Sequence, residues 1–137
     1  MQYAAACGLL ERRLIEMATG EGKTLVLALS AAIASALPRP LHVLTANDYL
    51  AERDAKRLRS FYAAAGRTSS FVTGATEPEL RPERYAADIV YTTGRELLGD
   101  YLRDQLKRER VGSPLRPLLR PSACPSTLQR GLHALLV

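Results

Sequence analysis

Gly20-Glu21-Gly22-Lys23-Thr24 is the stretch whose residue types and spacing could do chemistry. Two glycines two apart let the backbone curl until its N–H groups converge on an anion. A helix opening at such a loop adds the positive end of its dipole. Lys23 would reach the β- and γ-phosphates of ATP, and the Thr24 hydroxyl would hold Mg²⁺. Glu21 lies within the loop and counts among its nucleotide-binding residues. The strict phosphate-loop pattern wants a further Gly five residues before Gly22, and Met17 stands there. A plain glycine turn that opens a helix fits the same residues. The functional reading therefore depends on context: a strand before the loop and a helix after it.

The flanking sequence predicts that context. Residues 3–10 are Ala-rich and read as a short helix. Leu14-Ile15-Glu16-Met17 is a short, mostly apolar run that reads as the first strand. Leu25 to Leu37 reads as a helix stopped by Pro38. It falls within a charge-free run, Thr24 to Pro38, that is too short for a bilayer, which needs about 20 apolar residues. Leu41 to Thr45 is apolar enough to be a strand inside a sheet. Asn47 or Asp48 can cap a following helix that runs to about Ala65. Its Ala51, Ala55, Leu58, Tyr62 and Ala65 share one face, and Gly66 ends it. Ser69 to Thr73 and Asp88 to Thr92 read as strands. Between them lie a polar loop from Gly74 to Pro82 and a short helix around Glu83 to Ala86. Glu96 to about Gln105 reads as a helix. Alternating strands and helices predict a mainly parallel α/β sheet with nucleotide at the carboxyl ends of its strands.

The chain has 137 residues, 47% hydrophobic and 24% charged, which is enough for one domain with a core and argues against disorder. The net charge of +5 suits an anionic partner without choosing among nucleotide, nucleic acid and acidic lipid. Cys7 and Cys124 lack metal-ligand spacing, so a reduced pair and a disulfide are both compatible with the sequence. After Leu106 the character changes. Lys107 to Arg110 is a charge run that reads as a solvated face, and four prolines fall between Gly112 and Pro125. Leu132 to Val137 rises into an apolar, strand-like run that would leave an unpaired sheet edge. His42 and His133 lie in apolar runs without partners at ligand spacing and read as core or edge residues.

Several stretches together resemble one family, SecA. They are Ile15 to Leu25 (IEMATGEGKTL), Val43 to Asp54 (VLTANDYLAERD), Ala86 to Tyr91 (AADIVY) and Asp100 to Asp104 (DYLRD). The resemblance covers nearly all of residues 2–106 and resumes at Arg130-Gly131-Leu132-His133. It implies a RecA-like, helicase-type P-loop fold with helices on both faces of the sheet. It implies a SecA-like ATP-binding domain at 1–106, a Pro/Arg-rich insertion at 107–127, and a further core strand of the same domain at 128–137. SecA-type loops carry Met at the position of Met17. Gln2 lies where the family has a glutamine that recognises adenine, its amide both donating and accepting. A residue so near a terminus also fits an exposed, idle role. Asp48, Arg53 and Asp54 resemble a segment beside the ATP-binding core; a helix cap with solvated charges is the favoured reading of them. Asp100 and Arg103 resemble residues that couple the nucleotide site to neighbouring domains, and they also fit a plain i, i+3 ion pair.

The resemblance further implies ATP and Mg²⁺ as cofactors. Implied partners are preprotein and the SecYEG channel with acidic lipid, at the cytoplasmic face of the bacterial plasma membrane. Nucleic acid is not among them. SecA-type ATPases position Mg²⁺ and the attacking water with an Asp-Glu-x-Asp motif, and the 137 residues hold no such run. The expectation is therefore a truncated piece of an ATPase that binds nucleotide weakly and does not turn it over alone. Thr92-Thr93-Gly94-Arg95 departs from the Thr-Asn-Asn-Glu-like run of SecA, which points to a divergent or accessory member. The same residues resemble the Thr-Pro-Gly-Arg element of DEAD-type RNA helicases, the alternative reading. A non-catalytic interaction module or relic is the third.

Overall fold

The computed structural model describes residues 2–36, 41–111 and 134–136; the side chains of 107–111 and 134–136 are not included. Five helices and four strands alternate among the described residues. They are α1 (Gln2–Leu10), α2 (Lys23–Ala34), β1 (Leu41–Thr45), α3 (Asp48–Ala64), β2 (Ser69–Phe71), α4 (Arg81–Tyr85), β3 (Ile89–Thr93), α5 (Gly94–Val111) and β4 (Ala134–Leu136). The strands form one sheet in the order β2-β3-β1-β4. Every pairing is parallel, with Leu41 opposite both Ile89 and Ala134, and Ser69 opposite Ile89. The α/β, mainly parallel architecture is as the alternation requires.

The two faces of the sheet are filled differently. One face packs Leu41, Val43, Ile89 and Tyr91 against Ala28 and Ala31 of α2 and Ala51, Ala55 and Tyr62 of α3. Small alanines let both helices approach closely, and Tyr62 and Tyr91 join hydroxyls at 2.6 Å beneath them. The other face packs Val72, Val90, Tyr85 and Leu97, bringing α4 and α5 over the sheet. His42 is buried on β1 with its ring centroid 6.0 Å from that of Tyr85, in the core role expected of it. His133, Cys124 and the Pro-rich stretch lie outside the described residues.

Several elements differ from the reading of the sequence, among them β2, which ends at Phe71 rather than Thr73, and α2, which spans Lys23–Ala34 rather than Leu25 to Leu37. Leu14 to Met17 forms no strand: Leu14 is fully exposed and the run is irregular. Its apolar residues resembled a buried strand, but none of the four is buried, so none is held in a sheet by packing. The short helix begins earlier, at Arg81 rather than Glu83. Helix α5 begins at Gly94 and continues through the Lys107–Arg110 charge run to Val111, well past Gln105. The capping of α3, by contrast, is as read: Asn47 is extended at φ −153° and its Oδ1 accepts from the Leu50 N–H at 2.9 Å.

Candidate functional site

The phosphate loop is shaped by its two glycines. Gly20 has φ 90° and Gly22 has φ 83°, both in the left-handed region that other residues enter at a cost of about 1–2 kcal/mol. Gly22 is the residue that caps α2, and no side chain supplies the cap. Its carbonyl starts the helix, accepting from the N–H of Leu25 at 2.9 Å and of Val26 at 3.1 Å. Among the described residues, nothing accepts from the N–H groups of Lys23 or Thr24. These are the first amides of a 12-residue helix, and they remain available to an external anion.

The loop is braced from within and from α1. The Glu21 carboxylate accepts from the Ala18 N–H at 3.0 Å, so Glu21 closes the turn. From α1, Gln2 Nε2 donates to the Glu21 carbonyl at 3.2 Å. A Cβ on Gly22 would stand 2.6 Å from that same Nε2, so a side chain there could not coexist with Gln2 in this position. Helix α1 is held for this contact by its own small residues. Ala6 is fully buried, its carbonyl accepts from Ser30 Oγ at 3.4 Å, and Gly8 lies so near Ile15 that a Cβ would meet Cδ1 at 2.4 Å. Thus Gln2, Glu21 and the two glycines are brought together at the start of α2.

A cavity of ≈ 500 Å³ lies over the loop, lined by Thr19, Gly20, Gly22, Lys23, Thr24, Leu25 and, from α3, Arg57 and Leu58. A second cavity of ≈ 440 Å³ is lined by Gln2, Tyr3, Met17 and Glu21. Arg57 lines this cavity although periodicity did not point to it, because it lies 33 positions beyond Thr24 on a helix otherwise read for its buried stripe. The donor set suits a polyphosphate: free amides, an exposed ammonium on Lys23 and a hydroxyl on Thr24. For Mg²⁺ the described residues supply that hydroxyl, and no cluster of three His, Cys, Asp or Glu side chains gathers around it or elsewhere among them. Such a site suits Mg²⁺ that arrives coordinated by nucleotide phosphates.

Asp100 and Arg103 fall in a second polar centre, on the other face of the sheet. Asp100 is fully buried and accepts from Arg81 Nη1 at 2.6 Å, Tyr85 Oη at 2.9 Å and Arg103 Nη1 at 2.5 Å. Arg81 also donates from Nη2 to Glu96 at 2.8 Å and to the Thr73 carbonyl at 3.1 Å, and from Nε to the Thr76 carbonyl at 3.2 Å. Desolvation works against the Arg81 cation, but the hydrogen bonds and charges of Glu96 and Asp100 outweigh it and raise its pKa above the ordinary guanidinium value. The i, i+3 pair is therefore real but is one arm of a larger clamp. Asp48 extends the polar seam: its Oδ2 accepts from the Gly74 N–H at 2.8 Å. Arg53 and Asp54 pair on α3 at 2.7 Å; Arg53 is a solvated charge, but the Asp54 side chain is only 13% exposed and is not. Arg81, Tyr85 and Glu96 went unread because their partners are 15 and 19 residues away and Arg81 sits among prolines and glutamates.

Residues 1–137 match the model of the SecA DEAD-like domain family. This chain belongs to that family. It is 42% identical over 146 aligned residues to protein translocase subunit SecA 2 of Magnetococcus marinus, covering 100% of this chain and 22% of the relative. It is 45% identical to protein translocase subunit SecA 2 of Chlorobium chlorochromatii, over 96% of this chain and 19% of the relative. Protein translocase subunit SecA of a Wolbachia from Brugia malayi is 48% identical over 69% of this chain and 11% of the relative. The chain thus spans about a fifth or less of the length of these relatives. The family places the α/β sheet described above among RecA-like P-loop folds and implies ATP as its nucleotide. It favours the SecA-type reading over the RNA helicase. No helix among the described residues is long and apolar enough to cross a membrane.

Proposed function

We propose that this chain is the nucleotide-binding part of a SecA-type protein translocase. In this reading Gly20, Glu21, Gly22, Lys23 and Thr24 cradle the phosphates of ATP, Thr24 contacts its Mg²⁺, and Gln2 recognises adenine. The observation that carries the reading is a glycine-shaped loop whose Lys23 and Thr24 amides are unpaired among the described residues, below a cavity of ≈ 500 Å³. Bound ATP would supply a phosphoanhydride whose cleavage powers conformational work. The protein's part is to orient the polyphosphate with fixed dipoles and one ammonium.

Gln2 has a further task in this reading. Its Nε2 already holds the Glu21 carbonyl, so the adenine-facing residue also braces the phosphate loop. Asp100 and Arg103 are proposed to couple the site to further domains. Arg103 is the outward member, with its side chain 59% exposed, and buried Asp100 orients it. Preprotein, the SecYEG channel and acidic lipid are the partners proposed for the whole protein, at the cytoplasmic face of the membrane. The relatives' names, protein translocase subunits, support the translocation role within this part.

For the 137-residue chain alone the expected activity is weak binding of ATP or ADP with negligible turnover. Its sequence carries no Asp-Glu-x-Asp run to position the metal and the water. Phosphate release from Mg²⁺-ATP by the purified chain tests this, with Lys23→Ala as control. Release at the level of the control is expected. Robust Mg²⁺-dependent release that vanishes in Lys23→Ala would overturn the no-turnover half of the proposal.

A further inference from the structure

Helix α3 supplies the wall opposite the phosphate loop, and its cations are not equivalent. Arg53 is paired with Asp54 at 2.7 Å, and Lys56 with Glu52 at 2.5 Å. Arg57 is exposed, lines the loop cavity and makes no ion pair among the described residues. The residues lining that cavity include two cations, Lys23 and Arg57, and no carboxylate. The volume falls within the range of small-molecule sites, roughly 300–1,000 Å³.

The two cavities also give the site a direction. Gly20 and Gly22 line the first, while Glu21 lines the second with Gln2, Tyr3 and Met17, so the loop is the partition between them. A nucleotide with its base beside the Gln2 amide and its phosphates over the loop turns its far end toward α3. We propose that Arg57 is a specificity residue of this site, contacting the terminal phosphate of a nucleoside triphosphate. The proposal rests on the nucleotide reading given above. A guanidinium suits the role, because its planar fork meets two phosphate oxygens at once. A diphosphate, one group shorter, leaves the fork without a partner.

The test is calorimetric titration of Mg²⁺-ATP and Mg²⁺-ADP into the full 137-residue chain at fixed ionic strength. Four proteins are compared: wild type, Arg57→Ala, Arg57→Lys and Arg59→Ala. Arg59 is an exposed cation on the same helix that does not line the cavity. Arg57→Ala is expected to weaken ATP about tenfold and ADP by less than about twofold, the scale of one lost charge-assisted bond. Arg57→Lys should recover part of the ATP affinity, and Arg59→Ala should change neither ligand. Arg and Ala are both strong helix formers, so thermal melts should be close to wild type. Equal losses for ATP and ADP, no loss at all, or the same loss in Arg59→Ala would each overturn the assignment. If the wild type binds ATP and Arg57→Ala binds it equally well, this inference alone fails. If the wild type binds no nucleotide, the reading beneath it fails as well.

Discussion

The two polar centres of this molecule are built on opposite plans. Around Arg81 and Asp100, two guanidiniums face two carboxylates, and Asp100 accepts three hydrogen bonds without any exposure to solvent. At the phosphate loop, the Lys23 ammonium is exposed, two helix amides have no acceptor among the described residues, and Gln2 reaches over on a single 3.2 Å bond. A buried charge must be fully paired to be tolerated, so the buried Arg81, Glu96 and Asp100 are closed to any newcomer, and Arg103 is the member that faces outward. An exposed donor costs little while water satisfies it, so the second can wait for a ligand. The contrast separates polar groups that hold the fold from polar groups that serve a partner.

The largest expected effect comes from opening the closed centre. Asp100→Ala leaves Arg81 buried with one carboxylate gone, and removal of one partner of a buried pair costs about 3–5 kcal/mol. The melting temperature should fall by about 10 °C or more. Arg103→Ala removes the exposed arm and should cost about 1 kcal/mol or less. Equal melting temperatures for these two variants would break the comparison.

A smaller effect is expected at the loop glycines. Gly22→Ala forces a Cβ into φ 83° and against Gln2 Nε2, while Gly20→Ala meets only the backbone strain, because no atom lies within 4 Å of its would-be Cβ. Each should lose about 1–2 kcal/mol of stability in denaturant titrations. Gly22→Ala alone should also displace Gln2, seen as faster hydrogen exchange and proteolysis at the start of α1. Matching exchange in both variants would show that Gln2 does not brace the loop.

The smallest effect concerns the Tyr62–Tyr91 pair and appears only in alkali. Burial raises the pKa of both above the ordinary 10.0. For Tyr91 the Tyr62 charge and hydrogen bond raise it further; for Tyr62 the bond from Tyr91 partly opposes burial. The folded chain therefore keeps protons that the unfolded chain gives up. This contribution is fully present below pH 10 and shrinks as pH rises beyond it. In spectrophotometric titration, Tyr62 and Tyr91 should ionise late, together with unfolding. Normal titration of Tyr62 and Tyr91 in a folded chain would contradict the buried pair.

What could be read from the sequence follows the same division. Helix α3 was legible because Ala51, Ala55, Leu58 and Tyr62 repeat at helical spacing and do face the core, whereas Ala65, read with them, caps the helix and is exposed. The shape of the loop was legible because its two glycines and the start of α2 lie in five consecutive residues, although the strand expected before it is absent. Leu14 to Met17 misled because an apolar run can remain at the surface, and only packing decides. The Arg81 clamp was invisible because its members lie on separate elements, drawn together only when α4 and α5 cover the sheet. That Arg57 lines the loop cavity was invisible for the same reason, since nothing in its spacing points back at Thr24.

The central claim is that the loop's free donors are there for a nucleotide and not for the fold. Calorimetric titration of Mg²⁺-ATP into wild type and Lys23→Ala, each paired with a thermal melt, tests it most directly. The account predicts measurable binding by wild type, a loss of about tenfold or more in Lys23→Ala, and melting temperatures within about 2 °C of each other. Identical affinities in the two proteins, or a Lys23→Ala chain that no longer folds, would contradict it.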